Sequence, residues 1–319
     1  ICTEVSNREK TIEKTLYSIS KQNFIDYEYV IVDNCSIDKS HEVISNYLKN
    51  DNELNKKTTY IRLDNKLDAI SSWNKPLECA NGKYIVVCEG DDWFEFNHLT
   101  LAYEILNVND QIGMYISLRA DLENFQGTNV VSSDLHGYIA SIEMFEQLIS
   151  FDCVPPPSNV IFRRELDGAT FNYDSVNYVY AGEMSLYYDL LIQKLDAYVN
   201  AEALTVNRGL SLYRKGFFHI KDKYFSFGKW IQNGHYQGNE KPIRVKLFKE
   251  SLKGIFFPQL TRFSFEKDMC MHLFAEARKI GLVHSIIIFT SSAIDFVIIN
   301  LKLFSNKILN NLFRKKVSK

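Results

Sequence analysis

Three carboxylates follow directly after a strand-like segment in the first third of the chain. The segment Tyr84–Cys88 is rich in isoleucine and valine, which is typical of a buried strand in a parallel sheet. Glu89, Asp91 and Asp92 come next, at the strand end where open α/β sheets bind ligands. Clustered acids repel one another unless a cation joins them, and hard oxygen ligands favour Mg²⁺ or Mn²⁺. The pattern therefore predicts a metal site, with an acidic surface turn as the alternative.

Other polar residues also stand where predicted strands end. Thr3 and Glu4 close the first strand, Asp33 and Asn34 close the second, and Asp68 follows the third. The carboxyl ends of parallel strands open on the same edge of a sheet, so we expect these groups to share a pocket. The chain has no glycine-rich dinucleotide fingerprint and no P-loop motif. A diphosphate neutralised by a bound metal suits such a pocket.

The elements that must position these groups alternate between strand and helix. Ile12, Leu16 and Ile19 recur at helical spacing, and Ser6 and Glu9 are spaced as a capping box for that helix. This alternation indicates an α/β fold with a mostly parallel sheet flanked by helices. The predicted strands are residues 29–32, 60–63, 84–88 and 158–164, and further helical stripes lie within 43–48 and 70–80.

Composition sets the outer bounds. The chain has 319 residues, 24% of them charged, and a net charge of −2, so it lacks the basic surface that a nucleic-acid partner requires. The six cysteines are scattered and form no zinc motif, which favours reduced thiols and a cytoplasmic setting. No signal peptide is visible, and because the chain opens mid-strand at Ile1, we expect native residues before it.

Four motifs in order resemble the family 2 glycosyltransferases. They lie in residues 1–22, 30–38, 72–85 and 89–92, so the similarity is continuous to about residue 120 and patchy beyond it. The resemblance implies a GT-A fold, a Rossmann-like nucleotide-diphospho-sugar transferase architecture, and an inverting reaction that uses a nucleotide sugar. It also implies that residues 1–120 form the donor-binding half, 121–240 the acceptor-binding half, and 241–319 a C-terminal helical extension.

The resemblance assigns roles to the residues at the strand ends. Thr3 and Glu4 would lie beside the nucleobase and ribose, and Asp33 and Asn34 would hydrogen-bond the base. A UDP-sugar is favoured, although the family often has aspartate where this chain has Asn34. Asp68 would contact the nucleotide or the sugar. The ribose and the metal would be contacted by Asp91, Asp92 and Glu89.

Two further assignments fall in the second half. Glu183 matches the carboxylate that deprotonates the acceptor hydroxyl, and Met184 stands where many relatives have a second acid. Arg214 matches a cation near the diphosphate, where it would offset the charge of the leaving group.

The C-terminal segment is apolar from Gly281 and basic at its end. Every charge after Asp295 is positive, which predicts an amphipathic helix that lies on an anionic membrane surface. A helix that packs on its own domain or on a second subunit is the alternative.

The sequence thus predicts a metal-dependent glycosyltransferase that acts on a glycan or lipid-linked acceptor. By association with the family it resembles, we expect it to take part in the biosynthesis of a bacterial surface polysaccharide. The protein would be cytoplasmic, or peripheral at the inner face of the membrane. The alternatives are an inactive sugar-nucleotide or glycan-binding protein of the same fold and, with less support, a sugar-nucleotide nucleotidyltransferase. This chain lacks the glycine-rich, basic N-terminal loop that is typical of such nucleotidyltransferases.

Overall fold

The computed structural model contains two compact units, residues 1–213 with 225–236 and residues 214–224 with 237–319. The structure describes residues 1–121, 136–141, 143–144, 155–164, 187, 190–191, 193, 195–207, 228, 239–252, 267–281 and 288–289. The strands of the first unit are β1 Cys2–Val5, β2 Tyr29–Asp33, β3 Thr58–Arg62, β4 Tyr84–Val86, β5 Trp93–Phe94, β6 Ile112–Asp121, β7 Gly137–Ile139, β8 Val160–Arg163 and β9 Asp196–Asn207. Its helices are α1 Ile12–Ser20, α2 Ser40–Asn50, α3 Asn52–Lys57, α4 Ala69–Cys79 and α5 His98–Val108.

The first three strands form a parallel sheet in the order β1-β2-β3. All five residues of β2, the central strand of this sheet, are buried, as its continuous apolar run predicts. The α1 stripe of Ile12, Leu16 and Ile19 is fully buried, so the helical period read from the sequence is confirmed. The carboxyl ends of β1, β2 and β3 therefore share one edge.

A second sheet has the order β4-β8-β6-β9-β5, and β7 pairs with β9. A parallel bridge between Cys2 and Val87 joins the two sheets, so the end of β4 lies beside β1. β4 is two residues shorter than the predicted strand, because the chain leaves β8 at Val86 and pairs with β1 instead. The predicted α/β fold is confirmed, and the second sheet adds antiparallel pairs to the parallel ones.

The predicted capping box is wrong. Helix α1 begins at Ile12 after Thr11, and no side chain caps its first turn. The Glu9 carboxylate instead accepts a hydrogen bond from the Lys39 backbone N–H at 3.0 Å, while the Glu9 N–H donates to Asp38 at 3.0 Å. Glu9 therefore connects the loop after β1 to the loop after β2.

The second unit contains helices α6 Glu240–Ser251 and α7 Lys267–Ile280. Glu276 of α7 is 3% exposed and pairs with Arg244 of α6 at 3.0 Å, which neutralises its buried charge. Within the described part of the chain, no helix has both the length and the apolarity to cross a membrane. The predicted amphipathic helix after Gly281 lies almost entirely outside the described residues.

Candidate functional site

The acidic turn after β4 brings three carboxylates together. Oxygen atoms of Glu89, Asp91 and Asp92 lie within 4.8 Å of one another. The start of helix α1 fixes this turn. Thr11 Oγ1, directly before the helix, donates to the Gly90 carbonyl at 2.9 Å, and Thr15 Oγ1, inside it, donates to the Asp92 carbonyl at 2.8 Å. The turn is thus held by α1 hydroxyls that bond its backbone, and its carboxylates remain directed at one another.

Glycine at position 90 allows the turn to approach the end of β1. A Cβ atom there would lie 3.3 Å from the Glu4 carbonyl oxygen and 3.2 Å from Arg8 Cγ, closer than most side chains tolerate. The close approach places the acidic turn directly beside Glu4, so two of the predicted strand ends meet at this point.

Arg8 partly balances the negative charge of the turn. Arg8 Nη2 lies 3.6 Å from Asp91 Oδ2, and both side chains are partly exposed. Burial and then the neighbouring Asp92, Glu89 and Asp91 carboxylates hold the pKa of the Cys88 thiol well above its usual range. The turn is therefore a region of negative potential, which attracts cations.

The donor set of this turn fits the predicted metal. Carboxylate oxygens are the ligands that Mg²⁺ and Mn²⁺ prefer, and the cluster offers three of them. Asp92 is only 4% exposed, so one wall of the cluster is shielded from water. These residues could hold a divalent cation, and a further ligand could bind that cation on its solvent-exposed side.

Thr3 and Glu4 stand at the end of β1 with different surroundings. The Thr3 side chain is fully buried, and its hydroxyl accepts a hydrogen bond from the Tyr29 hydroxyl at 3.1 Å. Glu4 is partly buried and accepts from Ser72 Oγ at 3.2 Å. Burial raises the pKa of the Glu4 carboxyl, and hydrogen bonds from Ser72 and Asn34 and the charge of Arg8 oppose that rise. Glu4 is the member of this pair whose backbone carbonyl lies beside the acidic turn.

Asp33 is fully buried and surrounded by donors. Its carboxylate accepts from the Ser36 backbone N–H at 2.8 Å and from the Tyr60 hydroxyl at 3.3 Å, and Arg62 Nε lies 3.7 Å away. Burial and then the Asp33 charge raise the pKa of the Tyr60 hydroxyl, which keeps it a donor. Asp33 therefore organises the loop after β2.

Asn34 and Asp68 are joined through a single residue, Leu67. The Asn34 side chain bonds both backbone groups of Leu67, and Asp68 caps α4 by accepting from the Ser71 N–H at 3.0 Å. Hydrogen bonds from Ser71 lower the pKa of the Asp68 carboxyl. The structure thus brings Asn34, Asp68 and Glu4 to one edge, next to the acidic turn.

Glu183 and Arg214 lie outside the described residues. Five residues around the site were not singled out from the sequence: Arg8, Thr11, Thr15, Ser72 and Ser158. The Ser158 Oγ accepts a hydrogen bond from the Glu89 N–H at 3.1 Å. All five act through contacts between segments far apart in the chain. The hydroxyl repeat at Thr11 and Thr15, on one face of α1, is the one local signal that could have indicated them.

A separate cavity of about 520 Å³ lies at the opposite end of the sheet. It is lined by Ile1, Tyr84, Ile85 and neighbouring residues at the amino ends of β1 and β4. None of the predicted site residues that the structure describes lines it, so it is distinct from the acidic turn.

Comparison with known proteins supports this assignment of the fold. TuaG of Bacillus subtilis (strain 168), which is named as a teichuronic acid biosynthesis glycosyltransferase, is 28% identical over 106 residues. That alignment covers 33% of this chain and 40% of TuaG, so the chain spans less than half of the relative.

Two solved structures share the fold. S. aureus TarS 1-349 in complex with UDP-GlcNAc gives a TM-score of 0.59 at 17% identity, over 80% of this chain and 72% of the TarS chain. The mannosyltransferase PcManGT from Pyrobaculum calidifontis, in complex with GDP-Man and Mn²⁺, gives 0.54 at 13% identity, over 93% of this chain and 86% of its own. At such identities the likeness shows the fold alone, and it confirms the predicted GT-A architecture.

The family follows from the sequence itself. Residues 1–171, more than half of the chain, match the family model described as glycosyl transferase family 2. The match includes β1 to β8 and all of the acidic turn. This chain belongs to glycosyl transferase family 2.

Proposed function

We propose that this protein is an inverting glycosyltransferase that moves a sugar from a nucleotide-diphosphate donor to an acceptor hydroxyl. The observation that carries the proposal is the three-carboxylate turn beside the carboxyl ends of β1 and β2, in a family 2 chain. A UDP-sugar is the favoured donor, and the TarS structure with UDP-GlcNAc supports this choice. The acceptor would be a glycan or lipid-linked sugar in bacterial surface polysaccharide synthesis, in line with the name of TuaG.

Glu89, Asp91 and Asp92 would hold Mg²⁺ or Mn²⁺, as the presence of Mn²⁺ in the PcManGT complex supports. When bound, such an ion neutralises the diphosphate and stabilises it as a leaving group. Arg8, which pairs with Asp91, stands at the same place and can turn its guanidinium toward a phosphate oxygen. Residues of the chain thus supply both the carboxylates for the ion and a cation of their own.

The other half of the reaction concerns the acceptor. Inversion is a single in-line displacement, in which the acceptor oxygen attacks the anomeric carbon as the nucleotide diphosphate leaves. Glu183 would take the proton from that hydroxyl, and Arg214 would offset the charge that develops on the diphosphate. The proton therefore passes to a carboxylate of the chain, and no covalent sugar–enzyme intermediate forms.

A screen of nucleotide sugars tests this function. The melting temperature should rise with a UDP-sugar, and the rise should be larger with Mn²⁺ than without it, because the ion links the diphosphate to the acidic turn. Turnover of a radiolabelled donor then separates an enzyme from an inactive sugar-nucleotide-binding protein. Stabilisation without any release of nucleotide diphosphate would favour the binding protein.

We further propose that the protein acts on the cytoplasmic face of the membrane, held there by its basic C-terminal segment. Arg314, Lys315 and Lys316 would contact anionic lipid headgroups, at about 1 kcal/mol for each charge near the surface. Changing all three to glutamate should release the protein from phosphatidylserine vesicles in co-sedimentation and leave donor turnover intact. Retention of the variant on the vesicles would contradict this attachment.

A further inference from the structure

The Asn34 side chain is almost fully buried and uses both ends of its amide. Its Nδ2 donates to the Leu67 carbonyl at 3.1 Å, and its Oδ1 accepts from the Leu67 N–H at 2.8 Å. Only 2% of Asn34 is exposed. The orientation of the amide follows from this pairing, because the reversed orientation would face donor with donor and acceptor with acceptor.

This amide lies in a closed series of hydrogen bonds around the donor edge. The Asn34 backbone N–H donates to the Val5 carbonyl at 2.8 Å, which ties the loop after β2 to β1. Leu67 leads into Asp68, the cap of α4, and Ser72 in the first turns of α4 donates to Glu4. Glu4 directly precedes Val5 in β1, so the series closes on itself. A change at Asn34 would therefore act on two predicted donor-site residues at once.

We propose that Asn34 is a positioning residue, which fixes the segment 63–68 at the donor site and does not read the nucleobase. The inference rests on the proposed function and gives Asn34 a different role from the one that the resemblance implies. Its amide nitrogen and oxygen are both bonded to Leu67 inside the protein, so a base would have to displace buried hydrogen bonds to reach them.

The contrast with Asp33 explains why an amide stands at position 34. Asp33 is surrounded by donors, the Ser36 N–H, the Tyr60 hydroxyl and Arg62, which a carboxylate satisfies. Asn34 instead faces the Leu67 carbonyl, which requires a donor, and the Leu67 N–H, which requires an acceptor. An aspartate at position 34 would supply no donor and would set a carboxylate oxygen against the Leu67 carbonyl oxygen.

The test compares Asn34→Asp with Asn7→Asp. Asn7 lies in the neighbouring loop, and its Oδ1 accepts from the Ile37 N–H at 2.9 Å, a bond that aspartate retains. Both variants add one negative charge near the site, so their difference isolates the lost donor at position 34. Binding of UDP in saturating Mn²⁺ is measured by calorimetry, and exchange of the Leu67 amide hydrogen is followed by NMR.

Asn34→Asp should weaken UDP binding by a factor of roughly five to one hundred and speed exchange at Leu67, because the Leu67 carbonyl loses its donor. The ratio of UDP to GDP affinity should stay as in the wild type, and kcat at saturating donor should change far less than the donor KM. Asn7→Asp should match the wild type in UDP affinity within about threefold, since its hydrogen bond persists.

A changed UDP-to-GDP ratio in Asn34→Asp would overturn the inference, since it would show that Asn34 reads the base. Equal UDP affinity and equal Leu67 exchange in the two variants would also overturn it. If Asn34→Asp does not fold, wild-type exchange decides, because an amide held by Asn34 should be protected and rapid exchange at Leu67 refutes the contact. A wild-type protein that binds no nucleotide diphosphate would refute the proposed function itself.

Discussion

Replacing His98 with phenylalanine should make the protein more resistant to mild acid. His98 is the first residue of α5 and is fully buried, with its ring stacked on Phe94 at a centroid distance of 4.5 Å and edge-on to Tyr115 at 6.2 Å. Neither ring nitrogen has a hydrogen-bond partner among the described residues. Burial lowers the pKa of His98 to about 3, so the folded protein keeps this ring neutral.

The sign and size of the effect follow from the two pKa values. An unfolded chain binds a proton at His98 below about pH 6.5, while the folded chain does not bind one until about pH 3. Between these values the unfolded state holds more protons, so the free energy of unfolding falls as the pH falls. From pH 7 to pH 5 the loss from this residue is about 2 kcal/mol.

The assay is urea denaturation at pH 7, 6 and 5, followed by tryptophan fluorescence. Trp73 and Trp93 both belong to the compact unit that holds His98, so the signal reports on that unit. Between pH 7 and pH 5 the wild type should lose about 2 kcal/mol more than His98→Phe, whatever the absolute stability of the variant. Identical losses in the two proteins would show that His98 is charged, or exposed, in the folded state.

Three further changes address the core, the second unit and catalysis. Gly113→Ala would place a Cβ 2.6 Å from Leu195 Cβ, and this overpacking should lower the free energy of unfolding by about 1–3 kcal/mol. An unchanged midpoint in urea denaturation would contradict the packing. Glu276→Gln should lower the free energy of unfolding by about 1–3 kcal/mol. The loss is smaller than for a wholly unpaired buried charge, because Arg244 retains its ion pair with Glu240. An unchanged melting temperature in thermal denaturation would refute the buried pair. Glu183→Gln should lower kcat by about a hundred- to ten-thousandfold with near-normal donor affinity in calorimetry, and turnover close to wild type would place the base elsewhere.

Periodic features of the fold were predictable from the sequence. The apolar run of β2 and the stripe of Ile12, Leu16 and Ile19 each depend on one element facing one core, so local spacing is enough to reveal them. The convergence of the strand ends was also predictable, since parallel strands with helical crossovers place their carboxyl ends on one edge. The end of β4 was not, because its last residues exchange β8 for β1, and that partner choice is non-local.

Individual partners at the site could not be read from the sequence. Glu9 has the spacing of a capping box with Ser6, yet it bonds Lys39 across a loop thirty residues away. Asn34 resembles a base-binding residue, yet its amide is paired with Leu67. In both cases the polar side chain bonds a residue about thirty positions away, and tertiary structure brings that partner to it. Chain spacing does not contain that information.

Calorimetric titration of UDP, with and without Mn²⁺, tests the central claim most directly when it compares the wild type with an Asp91→Asn, Asp92→Asn double variant. The two changes keep side-chain size and remove two of the three carboxylates of the acidic turn. We expect the wild type to bind UDP more tightly with Mn²⁺, and the folded double variant to lose that enhancement. Undiminished dependence on Mn²⁺ in the double variant would contradict the metal site, and with it the proposed function.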